Sequence, residues 1–375
     1  MSLSTAVAPA KRLTFRRALE RLLSAHFPGA QILEIRRFGA DEAVGDEATE
    51  KAFGYGKPLR LRVRDASGNE HALVLHRASA DRFGHDRRAD RAAEMILAFD
   101  TFHLVPRHAR ALDVGAVAHD GALVSLAHAG EFFVLTTYVD GHPYADELRA
   151  LGTRGRADAR DLRHCRALAE YLARLHQPVD LPPTAYERSV RDLLGSGQGI
   201  FGLVDAYPAD APGASPARLQ ALEHLCIDWR WRLKAKTLRL RRIHGDFHPF
   251  NVLFDHRSNI GLLDTSRGSA GDPADDLTAM SVNYLFFALQ HPQSWSDGFA
   301  PLWRTFWRTY FEARPDDELL DVAAPYLAWR LLVVANPLWY PHVNADVRST
   351  LLGIAEHVLR APRMDLDDIE KRMMA

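Results

Sequence analysis

Hydrophobic residues change their period partway along this chain, near Tyr138. Before that point several short runs are apolar at every second residue, as half-buried strands are. After it, apolar residues recur at helical spacing. Gln31–Phe38, Leu59–Arg64, His71–His76, Gly121–Leu126 and Phe132–Tyr138 read as strands. Asp65-Ala-Ser-Gly-Asn69 between the second and third is a turn signal, so those two form a hairpin. Thr14–Phe27 and Asp86–Phe102 are the helices of this region. Beyond it, Arg163–His176, Leu219–Leu240, Leu277–Leu289, Leu302–Phe311, Ala323–Ala335 and Val347–Leu359 are helical, and one short hairpin, Val252–Phe254 with Ile260–Leu263, lies among them. Gly195–Pro216 reads as a long Gly- and Pro-rich connection. The expected class is α+β, with a small β-rich region over 1–138 and a larger, mainly helical one over 139–375. A length of 375 residues suits two domains of about 100–200 residues each.

Charge narrows the partners. Lys and Arg total 47 against 48 Asp and Glu, a net of -1, so no basic field exists to hold nucleic acid. The basic stretch Arg82–Arg91 is broken by Asp86 and Asp90 and reads as a solvated helix face. Cys165 and Cys226 both sit in Leu- and Ala-rich helical contexts and read as small buried hydrophobes. The longest apolar runs, near Tyr284–Leu289 and Leu331–Ala335, fall short of the roughly 18 residues a membrane span needs. A cytoplasmic protein with no membrane partner is expected.

The chemistry concentrates between Ile243 and Leu277. Asp246 and Asn251 stand as Asp-x-x-x-x-Asn directly before the short hairpin, and Asp264 directly follows it. Pairing the two strands brings Asn251 and Asp264 together at the open end, a few residues from Asp246. Two hard oxygen donors there suit Mg²⁺, which keeps several waters and is shared with substrate phosphates. A third carboxylate outside the metal shell is placed to orient an attacking hydroxyl. Phosphoryl transfer needs those parts, because positioning and charge neutralisation dominate it.

His244-Gly-Asp246-x-His248-x-x-Asn251 followed by Leu262-Leu-Asp264 resembles the catalytic and metal-binding loops of aminoglycoside phosphotransferases and their choline and homoserine kinase relatives. It is also similar to the His-Arg-Asp-x-x-x-x-Asn loop of protein kinases. The resemblance implies a bilobal protein kinase-like fold, with Asp246 as catalytic base, His244 buttressing its loop, and Asn251 and Asp264 holding Mg²⁺. It implies ATP, or another nucleoside triphosphate, as phosphoryl donor and a small hydroxylated molecule as acceptor. Gly271-Asp272-Pro273 with Asp276-Leu277 looks like the family's Gly-Asp-Pro-x-x-Asp-Leu, in which Asp276 braces the catalytic loop from a helix N-terminus. Thr136–Gly141 is hinge-like, and Tyr138 within it is assigned to the nucleotide.

The pattern breaks at one place. Kinase-like enzymes carry a phosphate-binding Lys on the third strand, paired with a Glu on the next helix. Here no Lys occurs between Lys57 and Lys234. His76, at the strand position, and Lys57, in Gly54-Tyr-Gly56-Lys57, are equal candidates to replace it, with Arg77 behind them. Glu94 is the choice for the helix partner, and Gly54 and Gly56 would let backbone N–H groups approach phosphates. Arg267 is expected to contact a phosphate or to pair with Asp272. The aromatic residues of the last third, Trp295, Trp303, Trp307, Tyr310, Trp329, Trp339 and Tyr340, read as helix packing more readily than as a cation-binding surface. Two rivals stand beside the kinase: a catalytically lapsed kinase fold that binds a nucleotide or partner, and a metal hydrolase built on His244-x-Asp246-x-His248. The acceptor's identity and the oligomeric state are not encoded in any motif.

Overall fold

The computed structural model describes residues 15–37, 58–265 and 267–374. The chain divides into two compact units, Met1–Thr136 and Thr137–Ala375.

In the first unit, α1 (Phe15–Leu23) is followed by an antiparallel sheet of β1 (Gln31–Arg37), β2 (Leu59–Arg64) and β3 (Glu70–Leu75) in that order. Alternation decides which face is covered. Leu61 and Val63 of β2 are buried while Arg60, Arg62 and Arg64 are exposed. Leu19, Leu23, Ile32, Leu61 and Val63 make the small core of this unit. The β2–β3 turn closes as the sequence indicates: the Asp65 carboxylate accepts the amides of Ser67 and Asn69, each at 2.9 Å. Next come α2 (Arg88–Thr101) and a two-stranded sheet of β4 (Gly115–Val117) and β5 (Leu123–Ser125).

Two expectations in this stretch change. The strand β4 is additional. Phe132–Tyr138 forms no strand: Phe133 is 93% exposed, and no neighbouring strand hydrogen-bonds to the segment among the described residues. Its aromatic and β-branched composition favours a strand locally, but pairing with another strand is what stabilises one.

The second unit is helical. It opens with β6 (His142–Pro143), α3 (Tyr144–Arg154), α4 (Ala159–Leu175), α5 (Thr184–Gly195), α6 (Ile200–Asp205) and α7 (Pro216–Leu233). The short strands β7 (Arg241–Arg242), β8 (Val252–Phe254), β9 (Ile260–Leu262) and β10 (Ala270–Gly271) follow. It closes with α8 (Pro273–Gln290), α9 (Ala300–Ala313), α10 (Leu319–Val322), α11 (Ala324–Ala335), α12 (Ala345–Arg360) and α13 (Leu366–Arg372). Pro273 to Ala288 of α8 are buried without a break, so this helix is the spine on which α9, α11 and α12 pack. A helix buried on every side needs such a central place. Trp295, Trp303, Trp307, Tyr310 and Trp329 are core residues, and Cys165 and Cys226 are buried thiols pushed up to about 12 by that burial. The connection over 195–216 is not irregular throughout, since α6 lies within it and Ile200 is fully buried. No helix among the described residues is long and apolar enough to cross a membrane.

Candidate active site

The site grows from the N-terminus of α8. Asp272 caps the helix through the Ala274 amide (3.0 Å), and Asp275 and Asp276 follow in the first turn. Carboxylates are favoured there by the helix dipole. All three are buried, so each needs a partner. Asp272 takes the Arg239 guanidinium (2.8 and 3.1 Å) and the Tyr186 hydroxyl (2.8 Å). Asp276 accepts the backbone amides of His244 (2.7 Å) and Gly245 (2.8 Å), and His176 Nε2 lies 3.2 Å away. Burial pushes Asp276 upward, but His176 and the two amides outweigh it and hold the carboxyl below its ordinary value. Asp276 thereby fixes the start of the His244–Asn251 segment.

Gly245 turns the chain with φ +84, and a Cβ there would lie 2.6 Å from the Gly268 carbonyl, so only glycine fits. The buried His244 ring accepts the Asp246 amide on Nδ1 (3.3 Å) and meets Phe247 edge-on. Further turns follow as Asp246 O accepts the His248 amide and His248 O accepts the Asn251 amide, each at 2.9 Å. The strands β8 and β9 then pair Val252 with Leu262, and the Leu263 amide bonds Asn251 O at 2.9 Å. Asp264, left-handed at φ +48, comes next. The Asn251 side-chain amide donates to Asp246 O at 3.1 Å and lies 3.4 Å from Asp246 Oδ2. Asn251 Oδ1 and the Asp264 carboxylate are hard oxygen donors flanking the same end of the hairpin, ligand types that suit Mg²⁺.

The two carboxylate oxygens of Asp246 have different surroundings. Oδ1 accepts from Arg330 Nη1 at 2.7 Å, with Arg267 Nη2 at 3.4 Å. Among the described residues Oδ2 has longer neighbours, Asn251 Nδ2 and His248 Nε2, both at 3.4 Å. Burial alone would push this carboxyl up, but His248, Arg330 and Arg267 hold it well below the usual carboxylate range. Arg330, on α11, is 6% exposed. Its Nη2 bonds Asp275 at 2.7 Å and approaches the Gly245 carbonyl at 3.3 Å. Both guanidinium groups lie against the Trp329 ring, Arg330 at 3.9 Å and Arg267 at 4.1 Å. Trp329 Nε1 donates to Gln198 O (3.0 Å), which ties the segment before α6 to the same cluster.

Arg267 therefore faces Asp246 and Asp275, not Asp272, because Arg239 already holds Asp272. Arg330 escapes sequence reading, since it stands 84 residues after Asp246 on a helix whose periodicity suggests only packing. A single Arg inside Ala-Trp-Arg-Leu-Leu-Val-Val-Ala was the available signal, because an arginine so placed is buried only with a partner. The hydrolase arrangement finds no support: His244 Nδ1 and His248 Nδ1 both accept backbone amides. Among the described residues no three His, Cys, Asp or Glu side chains are grouped to hold a metal.

In the first unit, His76 directly follows β3 and is exposed, as is Arg77. Glu94 lies on α2 with His85 Nε2 3.4 Å from its carboxylate. Lys57, Gly54 and Gly56 lie outside the described residues. Tyr138, in the second unit, is exposed.

Set against known families, residues 58–332 match the model of APH, the phosphotransferase enzyme family. No curated protein matches the chain. Among solved structures the chain is similar to a glucosamine kinase in complex with glucosamine, ADP and inorganic phosphate, at 16% identity and a TM-score of 0.37 over 57% of this chain and 58% of that one. It thus spans little more than half of that structure's length. Over 98% of this chain and 100% of that one it is similar to a second glucosamine kinase structure, at 14% identity and a TM-score of 0.40. A Plasmodium vivax ethanolamine kinase is similar at 11% identity and a TM-score of 0.36, over 83% of this chain and 84% of that one. The family match takes in the whole Asp246–Asn251–Asp264 arrangement, and the chain belongs to the APH family of phosphotransferase enzymes and has their kinase-like α+β fold.

Proposed function

We propose that this phosphotransferase moves the γ-phosphoryl group of ATP to a hydroxyl of a small molecule, with Asp246 directing the hydroxyl and Asn251 and Asp264 holding Mg²⁺. The observation that carries this reading is the asymmetry of the Asp246 carboxylate. Arg330 occupies Oδ1 at 2.7 Å, while Oδ2, whose nearest partners among the described residues are at 3.4 Å, can accept a hydrogen bond from the incoming hydroxyl. A carboxylate held this acidic is a weak base, so its work is mainly orientation. That suits a loose phosphoryl-transfer transition state, which asks little activation of the nucleophile. Magnesium, when bound, neutralises charge on the phosphate oxygens. Asp276 holds the loop backbone by two amides, and Arg330 holds the carboxylate, so the reacting group is fixed before substrate arrives.

In this reading residues 1–138 supply nucleotide contacts and 139–375 supply the catalytic and acceptor-binding parts. His76, Lys57, Glu94, Gly54, Gly56 and Tyr138 are proposed on the nucleotide side, and His244 as the support of the Asp246 loop. Asp246→Asn tests it: nucleotide binding persists while transfer to any acceptor falls by about 10²–10⁴-fold. Unchanged turnover would remove Asp246 from the reaction. ATP binding with no turnover in the wild-type chain, across a broad panel of hydroxylated compounds, would favour the lapsed-kinase alternative.

A further inference from the structure

Beside the Asp246 loop lies a cavity of about 210 Å³, walled by Phe250, Phe286, Trp339 and Tyr340 with Arg149 and His342 among its polar members. Phe250 belongs to the loop itself, one residue before Asn251. Burial pushes the Tyr340 phenol upward, and the Asp246 charge adds to the rise. Through Phe250 the cavity shares a wall with the loop that carries Asp246.

Its wall is built to stay in place. The segment 336–343 has no regular secondary structure beyond turns, yet it is held from beneath by Arg348, which is 2% exposed. The Arg348 guanidinium donates to the carbonyls of Ala335 (2.7 Å), Val343 (3.3 and 3.4 Å) and Tyr340 (3.4 Å). Asn336 caps the same segment through the Leu338 amide (2.9 Å). Tyr340 packs edge-to-face on Phe286 with ring centroids 4.9 Å apart. On this fixed wall Trp339 is 67% exposed. A large aromatic side chain left in water on a rigid segment, at the mouth of a cavity, gains from covering by a ligand.

The charge of that ligand is constrained as well. Among the described residues no Asp or Glu lines the cavity. The Arg149 guanidinium already lies over the Phe250 ring at 5.2 Å, so a cationic ligand would meet a resident positive charge at that ring. Arg149 is paired with Asp146 at 2.5 Å, but both side chains are 55% exposed, and so open a pair holds its arginine weakly. The pair can yield to an anionic group on the ligand.

We infer that the acceptor carries a ring-sized apolar group without positive charge, seated between Phe250, Tyr340 and Trp339 while its hydroxyl reaches Asp246. The inference rests on the phosphotransferase reading for the role of the hydroxyl, but binding can be tested apart from transfer. The experiment is ligand-observed NMR on the full chain without nucleotide. The probes are 3-phenyllactate and 3-phenyl-1,2-propanediol, their cationic counterpart phenylalaninol, and the polycation kanamycin. The anionic and neutral aromatic probes should bind the wild type. They should lose about tenfold or more in affinity in Trp339→Ala, the scale expected for removing one apolar wall of a pocket. A Trp339→Phe variant should recover most of that loss, which separates an aromatic wall from a folding defect. Phenylalaninol and kanamycin should bind more weakly. Equal or tighter binding of the cationic probes, aromatic binding indifferent to Trp339→Ala, or no binding of either aromatic probe would overturn the inference. Failure of the phosphotransferase reading would show separately, as ATP turnover that Asp246→Asn does not change.

Discussion

Replacing Arg330 with Met removes one buried cation from between two acids. Its guanidinium bridges Asp246 and Asp275, each at 2.7 Å, and is 6% exposed. Asp275 is also buried, and burial drives its carboxyl up against the pull of Arg267 and Arg330. Breaking a buried pair by removing one partner costs about 3–5 kcal/mol, because the other charge stays buried and uncompensated. Arg267 lies 3.6 Å from Asp275 and 3.4 Å from Asp246, so it keeps part of the compensation. The low end, about 3 kcal/mol, is therefore expected for Arg330→Met. Most of that is the orphaned Asp275 charge, so Asp275→Asn in the Arg330→Met background should recover about 1–2 kcal/mol. Arg330→Lys keeps a charge but has no planar fork to span both acids, so it should recover less stability than the wild-type residue gives and less turnover still. Urea unfolding of the four proteins of the Arg330/Asp275 cycle measures this. A cost under about 1 kcal/mol for Arg330→Met, or strictly additive effects in the cycle, would refute the bridging role.

Further outcomes follow from the same contacts. Asp276→Ala should destabilise the chain by about 2–4 kcal/mol in urea unfolding, since the buried amides of His244 and Gly245 lose their acceptor. Turnover should fall with it, because those amides place Asp246. The Asp65 carboxyl is lowered from 3.8 to about 2, chiefly by the His71 side chain with the Asn69 and Ser67 contacts adding to it. Its folded value is depressed, so its contribution is present above the ordinary carboxylate range and fades as pH falls from about 4 to 2. The Tm gap between wild type and Asp65→Ala should therefore close over that window, and a gap that persists at pH 2 would contradict the contact. Asp246→Asn should retain nucleotide binding by calorimetry while transfer drops by about 10²–10⁴-fold.

What the sequence made legible is local. The β8–β9 hairpin could be read because a turn-forming stretch separates two apolar runs, and Asp255 closes that turn by accepting the Arg257 and Asn259 amides at 2.8 Å. Asp276 was legible for a similar reason: it sits one turn into a helix that Pro273 starts, at a fixed offset from the loop it holds. Contacts distant in sequence were not. Arg330 meets Asp246 only because α11 packs against α8, and no spacing rule links residues 84 apart. Trp339 and Tyr340 looked like further core aromatics; nothing in the sequence showed that Arg348 would hold their segment at a cavity mouth. Phe132–Tyr138 failed in the opposite direction, since local strand propensity was satisfied and a partner strand was not. The hinge-like Thr136–Gly141 is neither strand nor helix before β6.

A metal-bound nucleotide at the hairpin end is what the proposed chemistry requires. Calorimetric titration of ATP into the wild-type chain, with Mg²⁺ and then with EDTA, should show affinity at least about tenfold higher with the metal, the gain of one shared ligand set. In Asp264→Ala, and in Asn251→Ala, that difference should vanish while both proteins remain folded. Metal-dependent ATP binding of wild-type strength in the Asn251→Ala, Asp264→Ala double variant would contradict the assignment.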